Sequence, residues 1–409
     1  MRIGVFFGTL PPQVGGGYTY ATQLLKCIRE CSNHSKHHFS VIGWERDPPP
    51  IVQKYELEYL SLYGTFPRRA ISRLVRDGRR LLRQLFPRSA VAYPKQWEHQ
   101  LILNHGIEMM WHLTPTWLTL EVPYISTVWD LEYRMQPYFP EVSTEGQWSK
   151  REGFYSDALR RAAIIITGTN AGKAIIEQLY QIPRERIKVL PYPVPAFASN
   201  ARRDTSLNVR AKYEIPDGYV LYPAQFWPHK NHVGLLLAVQ VLRDRYDLTI
   251  PLVFVGSDQG NQTYVKETAE ALGLTGQVFF LGFVPQEDLT ALYQHALGLG
   301  FVSFFGPDNL PPLEAFALGC PVIASNVVGA QEQLGGAALL VDPRNAEDIA
   351  AAIKLLYDDK SLRHTLIAKG AERAGKSGGR EYVEGVIAVL DEFESIRRCW
   401  SAREAFHQI

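Results

Sequence analysis

Asn309 and Glu314 belong to the stretch FFGPDNLPPLEAFALGCPVIAS, residues 304–325, in which a loop rich in Gly, Asn and Pro opens a helix that runs into a short apolar strand. A residue before proline is pushed out of the α region. Leu310 and Pro311 are therefore expected to be extended, with the helix starting near Pro312. Pro311 and Pro312 bring no amide hydrogens. The N–H groups of Asn309, Leu310 and Leu313 then stand free at the positive end of a helix dipole, which suits a phosphate or another anion. Glu314, expected in the first turn, can meet a ligand's hydroxyls or cap its own helix.

Two further segments follow predicted strands, and ligands of open α/β sheets bind at the carboxyl ends of strands. In YPAQFWPHKNH, residues 222–232, Lys230 is a compact cation suited to a diphosphate. A charge-assisted hydrogen bond of this kind contributes roughly 1.5–3 kcal/mol. A lysine at a helix start opposes the dipole unless an anion joins it. In STVWDLEYRMQPYFP, residues 126–140, Trp129 offers a flat apolar face to a sugar ring, and Asp130 can accept hydroxyl hydrogens. Equally, Trp129 can be core and Asp130 a cap.

After the first predicted strand comes GTLPPQVGGGYTYATQLLKCI. Gly15, Gly16 and Gly17 are expected to precede a helix and let backbone approach a ligand closely. The spacing is not G-x-G-x-x-G, which argues against a simple dinucleotide site. Residues 68–88, RRAISRLVRDGRRLLRQLFPR, place arginines opposite an apolar stripe with one acid, Asp77. Such a face suits an anionic membrane surface or a lipid pyrophosphate, or is a solvated surface helix.

The elements that must position these residues alternate throughout. Predicted strands are Ile3–Phe7, Phe39–Gly43, Met109–Leu113, Tyr124–Val128, Ile164–Thr167 and Lys188–Leu190, then Tyr219–Tyr222, Leu252–Val255, Val278–Phe280, Leu297–Val302, Val322–Ala324 and Ala338–Val341. Short apolar strands separated by helices mean parallel sheets covered on both faces. Two such series mean two doubly wound domains, expected at 1–195 and 207–383, with the boundary in the Pro-rich, then polar, segment 191–206. A last helix within 384–409 is expected, by analogy, to cross back to the first domain. The 409 residues exceed one ordinary core. A net charge of +1 gives no global pull toward nucleic acid. No apolar run reaches a membrane span, and the start lacks a signal-peptide layout. The four cysteines make no metal pattern and read as reduced thiols of a cytoplasm.

Taken in order, GGGYTYA, VWDLEYRMQPYFPE, YPAQFWPHKNH and FFGPDNLPPLEAFALGCPVIAS make the chain resemble the family 4 glycosyltransferases, retaining enzymes of the GT-B fold, over nearly its full length. Within them it is similar to mannosyltransferases that build bacterial surface polysaccharides. The resemblance implies that Gly16 and Gly17 face the donor's diphosphate and sugar. Lys230 binds the diphosphate, the amides of Asn309 and Leu310 reach the donor, Glu314 holds the nucleotide ribose, and Gly282, Phe283 and Val284 lie against the base. Trp129 and Gln225 complete the donor contacts, and Lys230, Glu314 and Asp130 are the expected catalytic group. The donor implied is GDP-mannose first and a UDP-sugar next, with no other cofactor and no metal. The acceptor implied is a glycan or lipid-linked oligosaccharide; the expected place is the cytoplasm, with residues 68–88 offering peripheral contact with the inner membrane face as one option.

The chain departs from the family at three points. Trp129 stands where a histidine is usual, Gln225 near the place of an arginine, and Gly306 where the first glutamate of E-x7-E is expected. Asp308 or Asn309 is a candidate replacement for that glutamate. Two other readings follow: a phosphorylase or epimerase on the same fold, or a pseudoenzyme that binds donor or glycan without transfer.

Overall fold

The computed structural model describes residues 1–8, 16–63, 96–201, 208–306, 308–376 and 378–400. The arginine-rich segment 68–88 and Gly15 lie outside them. Among the described residues, thirteen strands form two parallel sheets. The first holds β1 (Arg2–Phe6), β2 (His38–Gly43), β3 (Glu58–Ser61), β4 (Met109–His112), β5 (Tyr124–Thr127), β6 (Ile164–Thr167) and β7 (Ile187–Val189), in the order β3-β2-β1-β4-β5-β6-β7. The second holds β8 (Val220–Pro223), β9 (Leu252–Val255), β10 (Val278–Gly282), β11 (Gly298–Phe301), β12 (Val322–Ser325) and β13 (Ala338–Val341), in the order β10-β9-β8-β11-β12-β13.

Every residue of β4, β5, β6, β9, β11 and β12 is buried, which is why these strands read as unbroken apolar runs. The edge strand β3 escaped the sequence reading. Its sequence EYLS is exposed or half-buried, so it carries no apolar run. In each sheet the strand order reverses once, between β1 and β4 and between β8 and β11. A doubly wound sheet opens a crevice at that point, beyond the carboxyl ends of the strands. The two sheets thus make two Rossmann-like lobes, and the fold is GT-B.

The last described helix, Gly379–Arg397, buries Tyr382, Val383, Val386 and Leu390 in the same core as Tyr20, Leu24 and Ile28 of the helix Gly16–Ser32, in the first lobe. The Tyr20 hydroxyl donates to that of Tyr382 at 2.9 Å. Gln23 binds the segment that leaves the first lobe: its Nε2 donates to the Val194 carbonyl at 2.8 Å, and its Oε1 accepts from the Ala196 amide at 3.0 Å. Gly379, where the chain returns, lies flush with the same side chain. A Cβ there would sit 3.0 Å from Gln23 Nε2 and 2.7 Å from Cys27 Sγ.

Candidate functional site

The residues singled out from the sequence all follow the carboxyl ends of strands: Gly16 and Gly17 after β1, Trp129 and Asp130 after β5, Gln225 and Lys230 after β8, Phe283 and Val284 after β10, Asn309 to Glu314 after β11. Lys230 closes the one-turn 3₁₀ helix Pro228–Lys230. Asn231 follows in the left-handed region (φ 57°) and caps the helix His232–Tyr246, its Oδ1 accepting from the Gly234 amide at 3.2 Å. Gly234 leaves room for that cap, since a Cβ there would meet the Asn231 side chain. Asn231 Nδ2 also donates to the Val302 carbonyl at 3.1 Å and the Pro343 carbonyl at 2.8 Å. The Tyr222 hydroxyl donates to the Lys230 carbonyl. The lysine's backbone is therefore fixed from three sides, and its ammonium lies 5.2 Å from the centre of the Phe301 ring. No carboxylate among the described residues forms an ion pair with it. Burial pushes Lys230 down to about 8, against the opposing fields of Asp130 and Glu141.

The loop that opens the helix Leu310–Ala317 is tied to this lysine turn. The Phe304 amide donates to the His229 carbonyl at 2.9 Å, and the Phe305 ring stacks on the His229 ring at 4.2 Å. The helix starts two residues earlier than the prolines suggested. Leu310 is its first residue, with Pro311 and Pro312 inside the first turn. Proline loses no hydrogen bond there, and Leu310 packs against the cores of both lobes, which outweighs the pre-proline bias. The Asn309 amide is not free: it donates to Gln333 Oε1 at 3.2 Å, while Gln333 Nε2 donates back to the Asn309 carbonyl at 3.0 Å. The Leu310 amide is left without an acceptor among the described residues.

Glu314 therefore sits two residues further into the helix than expected, in its second turn, and caps nothing. Its Oε2 accepts from the Tyr293 hydroxyl at 2.7 Å. Burial raises the carboxyl to about 7, and the tyrosine's hydrogen bond opposes the rise. Asp130 is half-buried and likewise raised by burial, while the Glu132 amide, Arg151 and Lys230 pull it down. Asp130 and Lys230, one from each lobe, thus lie within electrostatic reach of each other.

Other expected residues take mixed places. Gly16 and Gly17 do not precede the helix but form its first turn. Trp129 is half-buried, packed edge-on to Tyr20 at 5.9 Å and against the first lobe's core. Gln225 is occupied at both ends of its amide, donating to Ser257 Oγ at 3.1 Å and accepting from Trp227 Nε1 at 3.1 Å. Phe283 projects into solvent with 74% of its surface exposed, whereas Val284 is buried in the second lobe's core. Neither candidate replaces the missing glutamate in a simple way. Asn309 Nδ2 donates to the Gly306 carbonyl at 2.7 Å, and Asp308 turns toward Gly168 of the first lobe. Gly306 itself has φ 120°, a conformation that a glutamate rarely adopts.

Sequence reasoning missed the groups that join the lobes. Glu141, at the start of the short helix Pro140–Ser143, accepts from the His229 amide at 3.2 Å and pairs with His229 Nδ1. Burial pushes His229 down to about 4. Burial alone would raise Glu141, but the histidine's hydrogen bond and field hold it low. Gln136 Nε2 donates to the Phe304 carbonyl at 3.2 Å, and Phe139 packs on Phe304 and Phe305. The only available signal was position, since all three residues follow β5. Among the described residues there is no group of three His, Cys, Asp or Glu that could hold a metal ion, and no helix is long and apolar enough to cross a membrane.

Residues 207–373 match the family model of glycosyl transferases group 1. That match falls on the second lobe. Among curated relatives, the chain is 30% identical over 236 residues to O-antigen chain mannosyltransferase B of Escherichia coli, covering 58% of this chain and 62% of that protein. It is 28% identical over 271 residues to the serotype-specific mannosyltransferase WbdA of Escherichia coli, of which it spans 33%. The matches thus span less than two thirds of these glycosyltransferases. Among solved structures, HepE of Anabaena in complex with UDP and glucose superposes with a TM-score of 0.65 at 15% identity, over 96% of this chain and 100% of that one. The likeness extends the GT-B assignment to both lobes.

Proposed function

We propose that this protein is a retaining hexosyltransferase that moves mannose from GDP-mannose to a glycan or lipid-linked glycan during surface polysaccharide synthesis. The observation that carries the reading is Lys230: a half-buried ammonium without a carboxylate partner among the described residues, held beside the loop that opens the Leu310 helix. A diphosphate would supply the missing charge. The O-antigen mannosyltransferase relatives favour mannose, and the UDP held by HepE keeps a UDP-sugar as the second donor.

In this reading the nucleotide lies on the second lobe and the acceptor on the first, with residues 68–88 against an anionic membrane on the cytoplasmic side. Lys230 and the Leu310 amide stabilise the departing diphosphate, where charge grows most. Glu314 accepts from ribose hydroxyls. The acceptor hydroxyl attacks on the face that the diphosphate leaves, and a phosphate oxygen takes its proton. Asp130 is placed to orient the sugar. The Gly282–Val284 segment offers Phe283 to the base, with Val284 as its anchor in the core.

The test is transfer from GDP-mannose or a UDP-hexose to an extracted lipid-linked glycan, followed by product analysis. Lys230→Ala is expected to lower kcat/KM by about 10²-fold or more. Transfer at the wild-type rate by that variant would end the assignment. Tight donor binding with no product from the wild-type protein would favour a pseudoenzyme.

A further inference from the structure

Two acids of the second lobe engage Gly168, Asn170 and Ala171 of the first. Asp308 Oδ1 lies 2.3 Å from the place a Cβ at Gly168 would take, so this carboxylate rests directly on the glycine backbone. Its other oxygen, Oδ2, is buried without a hydrogen-bond partner among the described residues. Next along the chain, Glu332 binds the start of the helix Asn170–Tyr180. Its Oε1 accepts from the Asn170 amide at 2.7 Å and from Asn170 Nδ2 at 2.8 Å, and its Oε2 accepts from the Ala171 amide at 3.1 Å. Thr169 caps the same helix from within, accepting from the Gly172 amide at 3.1 Å. The orphan amides of this helix end are thus shared between a local threonine and a distant glutamate.

The residue after Glu332 is Gln333, which holds both the amide and the carbonyl of Asn309. Arg373 donates to the backbone carbonyls of Glu332 and Gln333 and fixes the pair. Adjacent side chains on one short helix, Ala330–Leu334, therefore hold the far lobe with one residue and the loop before the Leu310 helix with the next.

We propose that Glu332, with Asp308, is an inter-lobe latch, and that Glu332 is a positioning residue whose grip on Asn170 and Ala171 sets the Asn309 loop through Gln333. Gly168 is glycine because the latch needs its bare backbone. Its φ is not in the left-handed region, so space and not conformation selects it. The consequence for the donor rests on the reading above, but the latch itself does not.

The experiment compares wild type, Glu332→Ala, Glu332→Gln and Gly168→Ala by amide hydrogen exchange without ligand, and by calorimetric titration with GDP and with UDP. Glu332→Ala and Gly168→Ala are expected to speed exchange both at residues 168–171 and at 308–313. Each should weaken the nucleotide that binds by about fivefold or more, a usual size for coupling between sites. Glu332→Gln, which keeps one acceptor oxygen, should fall between. Thermal midpoints close to wild type would separate the effect from loss of folding. Faster exchange at 168–171 alone, with 308–313 and nucleotide affinity unchanged, would overturn the coupling. Unchanged exchange at both segments would overturn the latch. Failure of wild type to bind either nucleotide would sink the transferase reading and leave the exchange result to decide the latch.

Discussion

Leu310 of the second lobe faces Gly16 of the first: its Cδ1 lies 3.8 Å from where a Cβ on Gly16 would stand. The first turns of two helices, one from each lobe, therefore meet at a bare glycine. A methyl group there makes ordinary van der Waals contact, so Gly16→Ala should fold normally. Alanine also gains up to about 1 kcal/mol of helix propensity. If this glycine faces the donor, the added methyl should raise donor KM by about tenfold while the thermal midpoint holds or rises. A donor KM equal to wild type would remove Gly16 from the donor surface.

Nucleotide diphosphate affinity should follow two limbs of pH. Lys230 is charged below about 8 and Glu314 above about 7. Affinity should therefore be greatest between these values. It should fall with acid as Glu314 takes a proton, and with alkali as Lys230 loses one. A bound anion favours the ammonium, so binding at pH 9 should take up protons. Calorimetry from pH 6 to 9 in buffers of different ionisation enthalpy checks this. Glu314→Gln should erase the acid limb and Lys230→Met the alkaline one.

The Glu141–His229 pair should contribute to stability in one direction of pH. The carboxyl is held below its ordinary value, so its contribution is present above the unfolded carboxylate range. It is lost as pH falls through the lowered value. Glu141→Gln should cost about 1–3 kcal/mol near neutrality, and the deficit should shrink in acid. Urea unfolding at several pH values measures it. A deficit that is constant with pH would contradict an ionised Glu141.

Gly306→Glu should not restore the family's missing carboxylate. The backbone at 306 is in a region that disfavours side chains, and a Cβ there would lie 2.4 Å from Asn309 Oδ1. The strain should cost about 1–3 kcal/mol and disturb the loop before the Leu310 helix. Thermal unfolding together with donor titration tests this, and gain of donor affinity by the variant would be the contrary result.

Much of this architecture was legible in the sequence because a parallel sheet buried on both faces needs unbroken apolar runs. Ile164–Thr167, Leu252–Val255 and Ala338–Val341 fall where those runs placed them, and other strands shift by a residue or two at an end. β3 was not legible, since an edge strand can be polar. The position of the Lys230 turn was legible because Pro228 and Asn231 bracket the start of the helix His232–Tyr246. Asn309 was misjudged because its partner, Gln333, is distant in the chain, and no local pattern shows that an amide is already taken. The same holds for Glu332 and for the pairing of Glu141 with His229. Residues that act across the gap between lobes carry no periodicity of their own.

Gln23 touches the chain where it departs for the second lobe and again where it comes back. Two covalent tethers emerging side by side behave like a door's paired leaves on one pin. Swinging about that pin strains neither tether once the Glu332 and Glu141 contacts across the gap let go, whereas sliding or twisting would tear Val194 and Ala196 from the Gln23 amide. Widening of the gap should then be greatest on the side farthest from Gln23, which makes this buried glutamine the pivot of the molecule.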